Sequence, residues 1–151
     1  MDIFDLKDRQ EFLKEVMELE FDEWATYPSD QKEKRVQIKI DNYYENIDNN
    51  HFCKLILIDN DKLIGFISIF PYDCDEEQNL TPWYATMFIK KEYRGKGYSK
   101  ILNAAILQEA KNRNIRALYL KTDLNNYYEK FGAKYIKKLN NSEKILKFDI
   151  I

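Results

Sequence analysis

The segment Arg94-Gly95-Lys96-Gly97-Tyr98-Ser99 combines residue types that can bind an anion through the main chain. The 151-residue chain contains four glycines, and two of them fall here; average usage would give about ten in a chain this long. Glycine permits left-handed backbone and lets N–H groups converge on a ligand, and a following helix adds the partial positive charge of its N-terminus. Residues 90–100 carry Lys90, Lys91, Arg94, Lys96 and Lys100 against Glu92 alone, a local net charge of +4 in a chain of net charge −2. A surface turn with solvated lysines uses the same residue types, but the place between a strand and a helix and the charge reversal suit a pyrophosphate. Two phosphate loops are excluded. A Walker loop needs Ser or Thr directly after Gly-Lys, where Gly97 stands, and a dinucleotide fingerprint needs a third glycine where Lys100 stands.

Other chemistries find little support. One histidine, His51, and two distant cysteines, Cys53 and Cys74, make no metal cluster, CxxC pair or Ser-His or Cys-His nucleophile; no metal ligand is assigned. The acidic balance, with pI near 5.6, argues against a nucleic-acid partner. Met1 to Asp5 is acidic and lacks the apolar stretch of a signal peptide. No apolar run approaches the ~20 residues of a membrane span. The expectation is a cytoplasmic protein without a membrane partner, monomeric or homodimeric.

The elements that must position the glycine segment follow from periodicity. Residues 2–7 suggest a first strand. Asp8 and Glu11 have the spacing of a helix-capping box, and Phe12, Leu13, Val16, Met17, Leu19 and Phe21 continue an amphipathic helix to about Trp24. Tyr27-Pro28-Ser29-Asp30 breaks it, and Ser29 or Asp30 can cap a second helix to about Ile47. Cys53–Ile58 and Leu63–Phe70 read as a hairpin, and Trp83–Ile89 as a third strand. Ser99 to about Asn112 is helical and Ala117–Leu120 is the next strand, so residues 83–120 form a parallel crossover. Leu124 to Phe131 reads as a short helix stopped by Gly132. Two strands close the chain around Leu139-Asn140-Asn141-Ser142. Residues 1–151 form a single α/β domain on a mixed sheet.

Ile89-Lys90-Lys91-Glu92-Tyr93-Arg94-Gly95-Lys96-Gly97-Tyr98-Ser99-Lys100-Ile101-Leu102 resembles motif A of the GCN5-related N-acetyltransferases (GNAT): Arg or Gln, two variable residues, Gly, one variable residue, then Gly or Ala. Arg94, Gly97 and Ser99 occupy those three places; Ser99 departs from the pattern but is small, and Lys91 stands where proline is frequent. Leu118-Tyr119-Leu120-Lys121-Thr122-Asp123-Leu124-Asn125-Asn126-Tyr127-Tyr128-Glu129-Lys130-Phe131-Gly132-Ala133 resembles motif B, with Ala133 replacing the usual aromatic. The resemblance implies a central, mostly antiparallel mixed sheet of six to seven strands, about four flanking helices and a β-α-β acyl-CoA-binding core.

It also implies a reaction. Arg94, Gly95, Lys96, Gly97, Tyr98 and Ser99 would receive the pyrophosphate of acetyl-CoA, the cosubstrate. Met87, Phe88 and Ile89 would flank its pantetheine arm, and Asn126 is a candidate cofactor contact. An acceptor amine on a small molecule or peptide would attack the thioester directly, and Tyr128 would protonate the departing thiolate. The base is not assigned by motif: Asp73, Asp75, Glu76, Glu77, Asp123 and Glu23 are candidates, and if they line a cleft they favour a cationic amine. Two other readings stay open, a non-catalytic acyl-CoA-binding regulatory module and an acyltransferase using another acyl-CoA.

Overall fold

The computed structural model describes residues 1–151. Seven strands form one sheet: β1 (Asp2–Asp5), β2 (Cys53–Asp59), β3 (Lys62–Phe70), β4 (Trp83–Ile89), β5 (Ala117–Thr122), β6 (Lys134–Lys138) and β7 (Lys144–Asp149). Their spatial order is β1-β2-β3-β4-β5-β7-β6, antiparallel except for the β4–β5 pair. Three α-helices cover it: α1 (Leu13–Trp24), α2 (Lys32–Asn46) and α3 (Tyr98–Asn112).

The layering explains why β2 and β3 read as nearly continuous apolar runs. Ile56, Ile58, Leu63 and Phe66 pack with Val16, Met17 and Phe21 of α1 and with Val36 and Tyr43 of α2 on one face. Leu55, Leu57, Ile64 and Ile67 pack with Leu102, Ile106 and Ala110 of α3 on the other. A strand covered on both faces has no solvent side on which to alternate. Asn60 and Asp61 both take positive φ, +51° and +61°, in the two-residue turn between Asp59 and Lys62, matching the twist of the hairpin.

Three local expectations change. The Asp8–Glu11 box does not form: Asp5 instead accepts the Lys7 N–H at the start of a 3-10 turn, and α1 begins at Leu13 without a side-chain cap. Neither Ser29 nor Asp30 caps α2; both lie within a 3-10 turn that leads into it. The fourth helix shrinks to the 3-10 turn Tyr128–Phe131, leaving three α-helices. The Thr122 hydroxyl accepts the Leu124 N–H, and Asn126 adopts φ +59°; local side-chain bonding and left-handed backbone compete with helix here. Gly132 does end that turn, at φ +100°. No helix is long and apolar enough to cross a membrane.

Candidate active site

The site begins with an irregularity in β4. Ser68 pairs with Ala85 and Phe66 with Phe88, so Thr86 and Met87 together oppose the single residue Ile67. Such a bulge bends its strand. Thr86 sits at φ +50°, an outlier for a β-branched residue. On its other side β4 meets β5 only at Trp83↔Tyr119, leaving the rest of that edge unpaired. Gly65 lies opposite Ile89 across β3–β4, and a Cβ there would stand 2.4 Å from the Phe88 carbonyl oxygen. Glycine is therefore required at position 65 by the close approach of the strand just beyond the bulge.

A cleft of about 350 Å³ opens beside the end of β4, lined by Met87, Phe88, Ile89, Tyr93, Arg94, Gly95, Gly97, Tyr98, Ser99 and Glu23. Gly95 and Gly97 adopt φ of +78° and +84°, and the space a Cβ would occupy is empty at both. Gly97 caps α3, and no side chain takes the N–H groups of the first turn. They remain available to an anion, with the helix end adding to the attraction. Lys96 is exposed and outside the lining. Arg94 turns back, its Nε donating to the Ile89 carbonyl at 2.8 Å and its guanidinium 5.6 Å from the Phe88 ring centroid. Lys90 is paired with Glu15 of α1 at 2.6 Å, so the fold neutralises one of the five cations counted in the sequence.

A second, larger cleft of about 960 Å³ shares Met87 and Glu23 with the first and lies between β4 and β5. Tyr128 lines it. Its ring is edge-on to Tyr84 at 5.6 Å and to Tyr127 at 4.8 Å, and the Tyr84 hydroxyl donates to Asn103 of α3 at 2.9 Å. Burial, then the neighbouring Tyr127, pushes the Tyr128 phenol up to about 12. The phenol thus keeps its proton throughout the neutral range. The turn carrying Tyr128 is fastened by Lys144 of β7, which donates to Glu129 at 3.4 Å. Tyr127 joins the two motifs, its hydroxyl 3.2 Å from Ser99 Oγ. Asn126 is exposed and lines neither cleft.

Among the candidate carboxylates, Glu23, Asp73 and Asp123 line the larger cleft, whereas Asp75, Glu76 and Glu77 do not; Glu77 pairs with Lys137 instead. Asp73 is half-buried, and burial raises its carboxyl to about 6, opposed by Lys121 and assisted by Glu143. Trp24 and Tyr84 also line this cleft; Tyr43 and Trp83 are core, and Tyr27 and Tyr44 are exposed.

Several lining residues lie outside both sequence motifs: Glu20, Lys39, Thr86 and Glu143. Glu20 left a signal, because it falls on the apolar stripe formed by Leu13, Val16, Met17 and Phe21. So did its buried partner Lys54, which interrupts the apolar run of β2. No group of three or more His, Cys, Asp or Glu side chains is placed to hold a metal ion.

Comparison with known proteins gives the chain's family. The chain is 34% identical over 89 residues to N-alpha-acetyltransferase 30 of Schizosaccharomyces pombe, an alignment covering 56% of this chain and 59% of that protein. It is 31% identical over 93 residues to the probable spermine N(1)-acetyltransferase of Bacillus subtilis subsp. natto, covering 56% and 61%. The chain thus spans about six tenths of the length of these curated relatives. An aminoglycoside 6'-N-acetyltransferase complexed with coenzyme A has the same fold, with TM-score 0.73 at 18% identity over 100% of this chain and 98% of that one. The model of the acetyltransferase (GNAT) family matches residues 13–133, and with both motifs meeting at one pair of clefts the chain belongs to that family.

Proposed function

We propose that this protein transfers an acetyl group from acetyl-CoA to a primary amine on a polycationic small molecule. The observation that carries this reading is the continuity of the two clefts: an uncapped helix start at Gly97 opens on one, and Tyr128 with Asp73 lines the other. The empty cradle at Gly95 and Gly97 fits a pyrophosphate. Main-chain N–H groups of residues 95–99 hold it, and the unpaired edge of β4 at residues 86–89 runs beside the pantetheine arm. The cosubstrate supplies an activated acetyl thioester.

Asp73 removes a proton from the acceptor amine, whose nitrogen attacks the thioester carbonyl. The new C–N bond forms as the C–S bond breaks, and the main chain near Phe88 donates to the carbonyl oxygen as charge builds there. Tyr128 gives its phenolic proton to the departing sulfur. A carboxyl near 6 is ionised at neutral pH yet basic enough to accept a proton, and a phenol near 12 is protonated.

The acceptor class follows from charge. Glu23, Asp73, Asp123 and Glu143 line the larger cleft against Lys39 and Lys121, and Glu20 is committed to Lys54. That excess favours a molecule with several amines, in keeping with the spermine named for one relative. Thiol release from acetyl-CoA, assayed against polyamines, aminoglycosides, amino acids and peptide N-termini, tests both parts. Turnover fastest with polyamines or aminoglycosides is expected. No release with any amine overturns the transferase reading, and turnover confined to peptides overturns the acceptor class.

A further inference from the structure

The core beneath the larger cleft contains a buried polar chain. Lys54 of β2 is 2% exposed, and its ammonium faces three groups. It donates to Glu20 Oε1 of α1 at 2.6 Å and to Ser68 Oγ of β3 at 2.8 Å, and it lies 4.6 Å from the Phe70 ring centroid. Ser68 Oγ is in turn 2.6 Å from Thr86 Oγ1. Because Ser68 accepts from Lys54, its own hydrogen is free to donate to Thr86. At the other end, Glu20 Oε2 faces Lys39 of α2 at 3.8 Å. The chain links α2, α1, β2, β3 and β4, and Lys39, Glu20 and Thr86 all line the cleft.

Burying a lysine and a glutamate is costly unless their bonds are satisfied. An apolar pair would fill the same space, so packing alone does not account for the chain. Its terminal acceptor is the one non-glycine residue of β4 held in left-handed backbone. Strain of this kind persists only where the surroundings over-determine it.

We propose that Lys54 is a positioning residue: through Ser68 it holds Thr86 in the bulge that turns β4 from β5, keeping the edge at Met87 and Phe88 open for the acyl carrier. The link to the carrier rests on the functional reading given above. The hold on Thr86 does not.

Two measurements separate them. The first is the backbone chemical shifts of Thr86 in the ligand-free protein, comparing wild type with Ser68→Ala. Movement towards extended values is expected; unchanged shifts overturn the proposal. The second is coenzyme A affinity by calorimetry for wild type, Ser68→Ala and the double variant Ser68→Ala/Thr86→Gly. Losing one ordinary hydrogen bond predicts roughly tenfold weaker binding for Ser68→Ala. Glycine accepts the left-handed angle without help, so the double variant should recover most of that affinity. Ser68→Ala that melts earlier yet binds coenzyme A like wild type gives the chain a stabilising role only and overturns the proposal. Wild type that fails to bind coenzyme A defeats the functional reading, and the Thr86 shifts then decide the positioning role alone. Lys54→Met leaves Glu20 with Lys39 alone, at 3.8 Å, and is read beside Lys54→Met/Glu20→Met, which removes both charges; loss of coenzyme A affinity in the folded double variant is expected, and wild-type affinity overturns the proposal.

Discussion

The two clefts touch at Met87 and are built in opposite ways. All but one of the ten residues lining the smaller cleft fall between 87 and 99. It is a local device: a strand end, two left-handed glycines and an open helix start. The larger cleft draws on α1, α2, the loop after β3, both β4 and β5, the Tyr128 turn and the turn at residues 141–143. The first offers backbone geometry, which a short segment can encode. The second offers charge and shape, which need distant segments to converge. On the proposed function, the part shared by all acceptors sits in a contiguous segment, and a composite surface selects the acceptor.

The largest test of this division is Tyr128→Phe. Removing a general acid should lower kcat by about 10²–10⁴-fold with acetyl-CoA affinity unchanged; steady-state kinetics with calorimetry checks it, and unchanged turnover removes Tyr128 as the acid. Gly97→Trp should damage the smaller cleft alone. Left-handed strain of about 1–3 kcal/mol and a bulky side chain at an open anion seat should weaken acetyl-CoA binding by about a hundredfold or more. Retained affinity would sink the glycine-loop assignment.

Gly65→Ala sharpens the comparison, because position 65 lies on β3 and reaches the site across the sheet. A Cβ at 2.4 Å from a main-chain oxygen forces β4 to shift. Overpacking of this kind should cost about 1–3 kcal/mol in denaturant unfolding, with coenzyme A binding weakened as well. A stability unchanged from wild type would contradict the close approach.

The pH profile tests Asp73. Its carboxyl is raised to about 6, so the proposed base is lost as pH falls through 6. In Asp73→Asn, log kcat below pH 6 should lose one proton's worth of slope, about tenfold per pH unit, while acetyl-CoA KM stays constant. An identical acid limb in both proteins would assign the base elsewhere. For stability the sign is opposite to that of a salt-bridged carboxylate. A raised acid binds its proton more tightly when folded, so its contribution to stability falls as pH rises from about 4 to about 6.

All seven strands were legible, because apolar runs and turn residues mark them directly. Asn60-Asp61 announced the hairpin turn, and Gly132 the end of the Tyr128 turn. The misjudged elements are those where side chains and backbone compete. The Thr122 hydroxyl takes the Leu124 N–H and Asn126 turns left-handed, and the expected helix became a 3-10 turn. The Asp8–Glu11 spacing suited a cap, but Asp5 was used instead. Gly65 carries no motif, and only the folded sheet shows its close approach to the Phe88 carbonyl beside the smaller cleft.

The sequence by itself marked the glycine segment and the tyrosine that line the two adjoining clefts, because those features lie within segments of about fifteen residues. Only the tertiary structure decided which carboxylates line the larger cleft. It also paired Lys90 with Glu15, and Lys54 with Glu20 and Ser68. The physical reason is range. Backbone angles and helix starts are set by neighbours in the chain, whereas a carboxyl's pKa, a buried ion pair and the width of a cleft depend on groups brought together from dozens of residues away.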